Sequence, residues 1–211
     1  MRLTVFGATG ATGGHILRQA AAAGHKVTAV VRAPSQPAVE HPNIDVVRAD
    51  VTDPAELRTA LEGRDAVLSG LGPRNRKSTG IAERGTAAIL AAMADTGVRR
   101  LVTISAAPVG PTPSEDSLFV RGMLIPILRA VLKDVYADVG AMEAEMARSD
   151  TDWTAMRPPK LTGAKVTGTY RTHIGGSVPR GATIARADLA HAMLAVLDDP
   201  ATYRQPVGVA Y

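Results

Sequence analysis

Residues 2–14 read R-L-T-V-F-G-A-T-G-A-T-G-G, and this stretch decides the fold. Arg2 to Phe6 is a short apolar run with β-branched and aromatic side chains, which reads as a strand. It passes straight into glycines at positions 7, 10, 13 and 14, and then into an alanine-rich helical segment. Strand, glycine loop and helix in succession make a site for a pyrophosphate. The loop lets phosphate oxygens reach the backbone, and the first N–H groups of the helix have no carbonyl partner. Gly7 lets the chain leave the strand sharply, Gly10 admits the phosphates, and Gly13 lets the helix pack on the sheet. The spacing is G-x-x-G-x-x-G rather than G-x-G-x-x-G. A plain turn could use the same residues; the strand before, the helix after and a second strand at the usual distance favour dinucleotide binding.

Working outward, the same alternation continues to the end of the chain. Helix one is expected over 11–23, with Ile16, Leu17, Ala20 and Ala21 inward and Gly24 as its stop. Strands are expected at 26–31, 43–48, 65–69, 100–104, 152–156 and 206–210, with a short outer strand within 165–172. Helices are expected from Pro54, over 79–96, 133–149 and 187–197. Asp53 or Thr52 should cap the helix at Pro54, since proline suits a first turn. Strands alternating with helices give an α/β fold with a doubly wound, mostly parallel sheet in a single domain over 1–211. Ser117 to Leu132 reads as an apolar, partly helical cover, so segments 108–132 and 162–185 are expected on the substrate side.

Composition narrows the function classes. The chain has 211 residues, 45% hydrophobic and 21% charged, which is globular rather than disordered. It has no cysteine, so disulfides, thiolate catalysis and cysteine-ligated metals are excluded. The five histidines show no metal-ligand spacing. The first residues open a strand without a leader-like stretch, and no apolar run reaches membrane-span length, so a cytoplasmic protein is expected. A net charge of +4 suits an anionic cofactor but is too modest to argue for nucleic acid.

The candidate site residues follow from position. In such a sheet, ligands lie across the carboxyl ends of the strands. Arg32 ends the second strand, where a carboxylate would select NAD; an arginine pairs with the 2′-phosphate of NADP. Asp50 and Val51 follow the third strand at the adenine end, where Asp50 can accept from the adenine amino group or serve its own turn. Leu71 and Gly72 follow the fourth strand, where small residues let a ribose approach. The basic tip Arg74 to Lys77 is either a solvated loop or a contact for an anionic substrate. Ser105 follows the fifth strand, near the expected nicotinamide. Pro158 and Pro159 stiffen the crevice mouth, where carbonyls left uncovered are expected to contact a carboxamide.

Those residues resemble the atypical short-chain dehydrogenase/reductase group, and within it the NAD(P)H-binding NmrA-like proteins, which include biliverdin reductase B (flavin reductase). The matching pieces are G-A-T-G-A-T-G at 7–13, V-V-R at 30–32, A-D-V-T-D at 49–53, G-L-G-P-R-N at 70–75, T-I-S-A at 103–106 and D-W-T-A-M-R-P-P at 152–159. The resemblance implies NADP(H) held by Gly7, Thr9, Gly10, Ala11, Thr12 and Gly13, with Arg32 on the 2′-phosphate. Asp50 and Val51 would lie near adenine, Leu71 and Gly72 on the ribose side, Ser105 at the nicotinamide and Pro158 at the carboxamide. The larger superfamily uses a Tyr-x-x-x-Lys pair to protonate carbonyls; here Tyr136 is followed four residues later by Gly140. Flavins and quinones do not need that pair. The expected function is therefore hydride transfer to a flavin, quinone or similar acceptor. Ser105 and Lys160 are the candidate catalytic side chains; Lys160 would contact an anionic substrate or protonate through water, or else lie idle on the surface. The alternative is a non-catalytic NADP(H) sensor acting through a protein partner.

Overall fold

The computed structural model describes residues 1–37, 39–73 and 80–211. In chain order the elements are β1 (Arg2–Phe6), α1 (Ala11–Ala22), β2 (Lys26–Val31), β3 (Ile44–Arg48), α2 (Pro54–Leu61), β4 (Ala66–Ser69), α3 (Ile81–Thr96) and β5 (Arg100–Ile104). There follow α4 (Ile125–Val131), α5 (Lys133–Arg148), β6 (Asp152–Arg157), β7 (Lys160–Thr162), β8 (Arg171–Ile174), β9 (Thr183–Ala185), α6 (Arg186–Ala195) and β10 (Gln205–Ala210). Eight strands form one sheet in the order β3-β2-β1-β4-β5-β6-β10-β8. All neighbours run parallel except β8, which pairs antiparallel with β10. This is the doubly wound, mostly parallel sheet that the alternating pattern predicts.

The two faces are covered separately. Helices α1 and α6 pack together on one face, over Leu3, Val5, Ala29, Leu68 and Val102. Helices α2, α3 and α5 cover the other, over Phe6, Val30, Val67, Leu101 and Ala155. Burial on both faces explains why β1, β2, β4 and β5 read as apolar runs rather than alternations. The α1 stripe of Ile16, Leu17, Ala20 and Ala21 is buried as expected. Asp53 caps α2, its carboxylate accepting from Ala55 N at 2.9 Å with Pro54 in the first turn. At the opposite end of the sheet from the loops, the buried Arg100 guanidinium donates to the Val196 and Leu197 carbonyls just beyond α6. A cation suits the negative end of a helix.

One expectation is corrected and one pairing is new. The outer strand expected within 165–172 begins only at Arg171 and continues to Ile174. The reason is Asp188, whose carboxylate takes the Thr167 and Gly168 N–H groups at 2.8 Å each, so they cannot join a ladder. The parallel pair β7 and β9, with Leu161 opposite Ile184, was not foreseen, because three-residue strands between prolines and glycines leave no period. Ser117 to Leu132 is helical from Leu118, through a π-turn at Val120–Leu124 and into α4. Pro126 has no N–H to give the Gly122 carbonyl, which accounts for a widened turn there. Among the described residues no helix is long and apolar enough to cross a membrane.

Two buried carboxylates hold this scaffold, and each gives a test. Asp138 of α5 accepts from Ala82 N at 3.2 Å and Glu83 N at 2.9 Å, capping α3 from outside because its own N-cap, Gly80, has no side chain. Asp138→Ala is expected to cost about 2 kcal/mol, lowering Tm by about 4–8 °C in a thermal melt. An unchanged Tm would mean that water caps the helix as well.

Asp188 accepts from four donors: the Thr167 and Gly168 amides, the Thr167 hydroxyl and the Tyr211 hydroxyl. Burial opposes its charge, but the hydrogen bonds from Tyr211, Gly168 and Thr167 outweigh burial and hold its pKa below the ordinary 3.8. A depressed carboxyl stabilises the fold above the unfolded value and loses that contribution as pH falls through the folded value. The urea-midpoint gap between wild type and Asp188→Asn should therefore stay constant from about pH 7 to 5 and narrow below about pH 4. A gap that holds its full size at about pH 3 would show that the charge of Asp188 does not matter.

Candidate nucleotide and reaction site

The crevice opens where the strand order reverses, between the carboxyl ends of β1 and β4. The two strand ends meet at glycines: a Cβ at Gly7, whose φ is +71°, would lie 2.6 Å from the Gly70 carbonyl group. The loop then doubles back, Gly10 N donating to Gly7 O at 2.9 Å. Helix α1 starts so close to this loop that a Cβ at Gly13 would lie 2.1 Å from Gly7 O. Its N-cap, Gly10, offers no side chain, and its first turn has no carboxylate. The N–H groups of Ala11, Thr12 and Gly13 are therefore left for an external acceptor. Thr9, Gly10 and Ala11 are exposed beside them. Free donors, no competing anion and backbone drawn in where a Cβ would stand fit a pyrophosphate.

Beside the loop, where the sequence places the adenosine, lie more of the expected residues. Arg32 follows β2 and is exposed; Asp50 follows the adjacent β3. The Asp50 carboxyl is held below its ordinary pKa first by the Thr52 N–H and hydroxyl, and also by the Arg32 guanidinium, against a small opposing effect of burial. Asp50 Oδ1 accepts from Thr52 N at 2.9 Å and Thr52 Oγ1 at 2.8 Å. The turn role is thus filled through one oxygen. Val51 and Leu71 meet over one point of α3: a Cβ at Gly85 would lie 2.7 Å from Leu71 Cδ1 and 3.6 Å from the Val51 carbonyl. Gly72 is exposed beyond them, and the basic tip expected at Arg74 to Lys77 lies outside the described residues.

At the carboxyl ends of β5 and β6, where the sequence places the nicotinamide, three side chains meet, two of which sequence reasoning did not name. Ser105 stands one residue past β5, its N–H on Met156 O at 2.7 Å. Its hydroxyl donates to Glu143 Oε1 of α5. Arg157, at the end of β6, grips both oxygens of the same carboxylate, with Nε on Oε1 at 2.9 Å and Nη2 on Oε2. The pair is nearly enclosed, the Arg157 and Glu143 side chains being 10% and 13% exposed. One signal could have found it: an arginine at the end of the apolar run D-W-T-A-M-R is buried, and a buried charge needs a partner. Glu143 itself gave no signal, since it adjoins the Met142 stripe of an ordinary helix.

The other residues that the sequence reading weighed for this end are Tyr136, Lys160 and Pro158. Tyr136 precedes Glu143 by two helical turns, about 10 Å along α5. Burial pushes its phenol pKa up, partly offset by Arg129. Lys160 opens β7, is exposed, and has no carboxylate in salt-bridge range among the described residues. The reading of Pro158 is corrected: its carbonyl is not free but accepts from Ala107 N at 2.9 Å. The turn after β5 folds back onto the residues after β6 and supplies the N–H that the double proline lacks.

The segments bordering this end are tied together. Arg129 of α4 donates to Pro108 O at 2.9 Å and Gly110 O at 2.7 Å. Ser177 Oγ donates to Ala107 O at 3.3 Å, and Arg180 N to Asp116 Oδ1 at 2.6 Å.

Fold and loop together define a dinucleotide-binding protein of the doubly wound α/β class. The particular family is shown by comparison: residues 7–200 match the NAD(P)H-binding family, and the chain belongs to it. An uncharacterised Mycobacterium tuberculosis protein is 33% identical over 105 residues, 50% of this chain but 12% of its own length. The chain thus spans about an eighth of the length of the mycobacterial relatives that it matches. A Veillonella parvula short-chain dehydrogenase/reductase, solved in complex with NADP, superposes with a TM-score of 0.81 at 17% identity, covering 100% of this chain and 94% of its own. A Streptococcus pneumoniae protein, assigned provisionally as an NADH-flavin reductase, gives 0.81 at 20% identity, covering 100% and 99%. These two likenesses are likenesses of fold.

Proposed function

We propose that this chain is an NADPH-dependent reductase that passes a hydride to a flavin, quinone or similar conjugated acceptor, in the manner of the NmrA-like, biliverdin-reductase-B-like subset. The observation that carries the reading is the company of Ser105. The side chain on its hydroxyl is a carboxylate gripped by Arg157, not a tyrosine held by a lysine. Reduction of a simple carbonyl needs a positioned proton donor. A conjugated acceptor takes the hydride and draws its proton from solvent.

The roles of the chain's own residues follow. Ala11, Thr12 and Gly13 would hold the pyrophosphate through N–H groups, with Thr9 and Gly10 beside them. Arg32 would take the 2′-phosphate, and Asp50, Val51, Leu71 and Gly72 would border the adenosine. The nicotinamide cofactor, when bound, supplies the hydride. The exposed Lys160 ammonium at the crevice mouth would attract an anionic acceptor. The protein contributes chiefly proximity and orientation.

The test is NADPH oxidation, followed by absorbance, with a panel of flavins, quinones and tetrapyrroles. Acceptor-dependent turnover is expected. Tight NADPH binding without turnover on any of them would count against catalysis. A specific feature would then favour a redox sensor: Leu118, Phe119, Met123, Leu124, Ile127 and Val131 stand exposed along the helix through α4. Such a patch on one helix is what a partner-binding surface needs. The sensor reading predicts a partner whose affinity differs between oxidised and reduced cofactor.

A further inference from the structure

We propose that Ser105 serves the reaction site as a hydrogen-bond acceptor, fixed in that polarity by Glu143, and that it recognises a ligand presenting an N–H donor. The inference rests on the reading that this crevice binds a nicotinamide cofactor.

The argument is a count of protons. A serine hydroxyl has one proton and two lone pairs, whereas an ionised carboxylate only accepts. Both oxygens of Glu143 accept from Arg157, through Nε and Nη2, so the carboxylate meets its neighbours as an acceptor. The proton between Ser105 and Glu143 must then come from the serine. With its single proton committed, Oγ has only lone pairs left for the carboxyl end of β5. A carbonyl oxygen placed there would face another acceptor, while an N–H would be matched. This polarity is opposite to that of a serine that helps to protonate a carbonyl. Glu143 acts through Ser105 and is a positioning residue; Arg157 orients Glu143.

The pairing is poorly explained by local structure. Glu143 caps no helix end, and the Ser105 backbone is already tied by its N–H to Met156 O. Nearby, the Pro158 carbonyl is taken up by Ala107 N, so the expected acceptor for a carboxamide has a competitor. Two sources could supply the N–H: the amino group of the nicotinamide carboxamide, or the imide N–H of an isoalloxazine acceptor.

Two paired comparisons distinguish them. In the first, dissociation constants of NADPH and its 3-acetylpyridine analogue, which replaces the amide NH2 with CH3, are measured by fluorescence of the reduced ring. In the second, kcat/KM is measured for riboflavin and N3-methylriboflavin. Wild type is expected to prefer the N–H ligand by about tenfold in one of the pairs. Ser105→Ala and Glu143→Gln should each reduce that preference to about twofold or less in the same pair. Which pair responds names the source. Ser105→Ala leaves the Glu143–Arg157 pair whole, so it reports even if Glu143→Gln folds poorly. If both members of each pair weaken alike and the ratios hold, the residues are merely structural and the proposal is overturned. It is overturned too if wild type shows no preference in either pair. If NADPH itself does not bind, the cofactor reading fails first, a result distinct from unchanged ratios.

Discussion

Gly13→Ala is expected to lower cofactor affinity by about 100-fold and Tm by about 5–10 °C. The new Cβ would lie 2.1 Å from Gly7 O, 2.8 Å from Gly7 C and 3.0 Å from Ala8 Cα. All three atoms are backbone, so no side chain can swing aside. Either α1 retreats from the loop or the loop is pushed out over β4, where Gly7 already abuts Gly70. Both movements displace the three free N–H groups from a common focus, which the proposed pyrophosphate contact needs. Gly14→Ala is the control. A Cβ there has nothing within 4 Å, and alanine favours a helix, so affinity should stay level and Tm hold or rise slightly. Fluorescence titration with NADPH and a thermal melt of both variants decide the matter. Tight binding by Gly13→Ala would place the pyrophosphate elsewhere.

Arg32→Asp is expected to weaken NADPH by about 30-fold or more while changing NADH by less than about threefold. A guanidinium can pair with the 2′-phosphate, which NADH lacks. The replacement removes that charge-assisted contact and adds repulsion. It also sets a second carboxylate near Asp50, whose ionisation Arg32 now favours. Because Arg32 is exposed, the discrimination should shrink as ionic strength rises. Equal loss for both cofactors would mean that Arg32 supports the fold of the crevice rather than reading the phosphate. No loss for either would free Arg32 from the site.

These two predictions draw on different kinds of legibility. The glycine loop can be read from the chain because its constraint is local: seven residues must turn, admit an anion and start a helix. Arg32 is placed by the same local logic, as the residue after a strand at a known distance from that loop. Asp50 shows the limit of such reasoning. Its place after β3 would suit an adenine contact, yet Oδ1 already serves Thr52, and both readings name the same residue.

Period and punctuation in the sequence were enough to determine most of the elements and the doubly wound, mostly parallel sheet, though not the short pair β7 and β9. Apolar runs mark strands buried on both faces, and glycines and prolines mark where they stop. Only the tertiary structure decided what meets Ser105 beyond β5. Ser105 and Glu143 are 38 residues apart, Glu143 and Arg157 are 14 apart, and Asp138 caps a helix 55 residues earlier. Each contact depends on how α5 sits against β5, β6 and α3, which no repeat within one element encodes. The Pro158 carbonyl is occupied for the same reason: the N–H that satisfies it arrives from Ala107, on another strand's turn. Local pattern states which face of an element is buried; the choice of polar partner inside the fold is set by the register between elements, and there the chemistry of this site is decided.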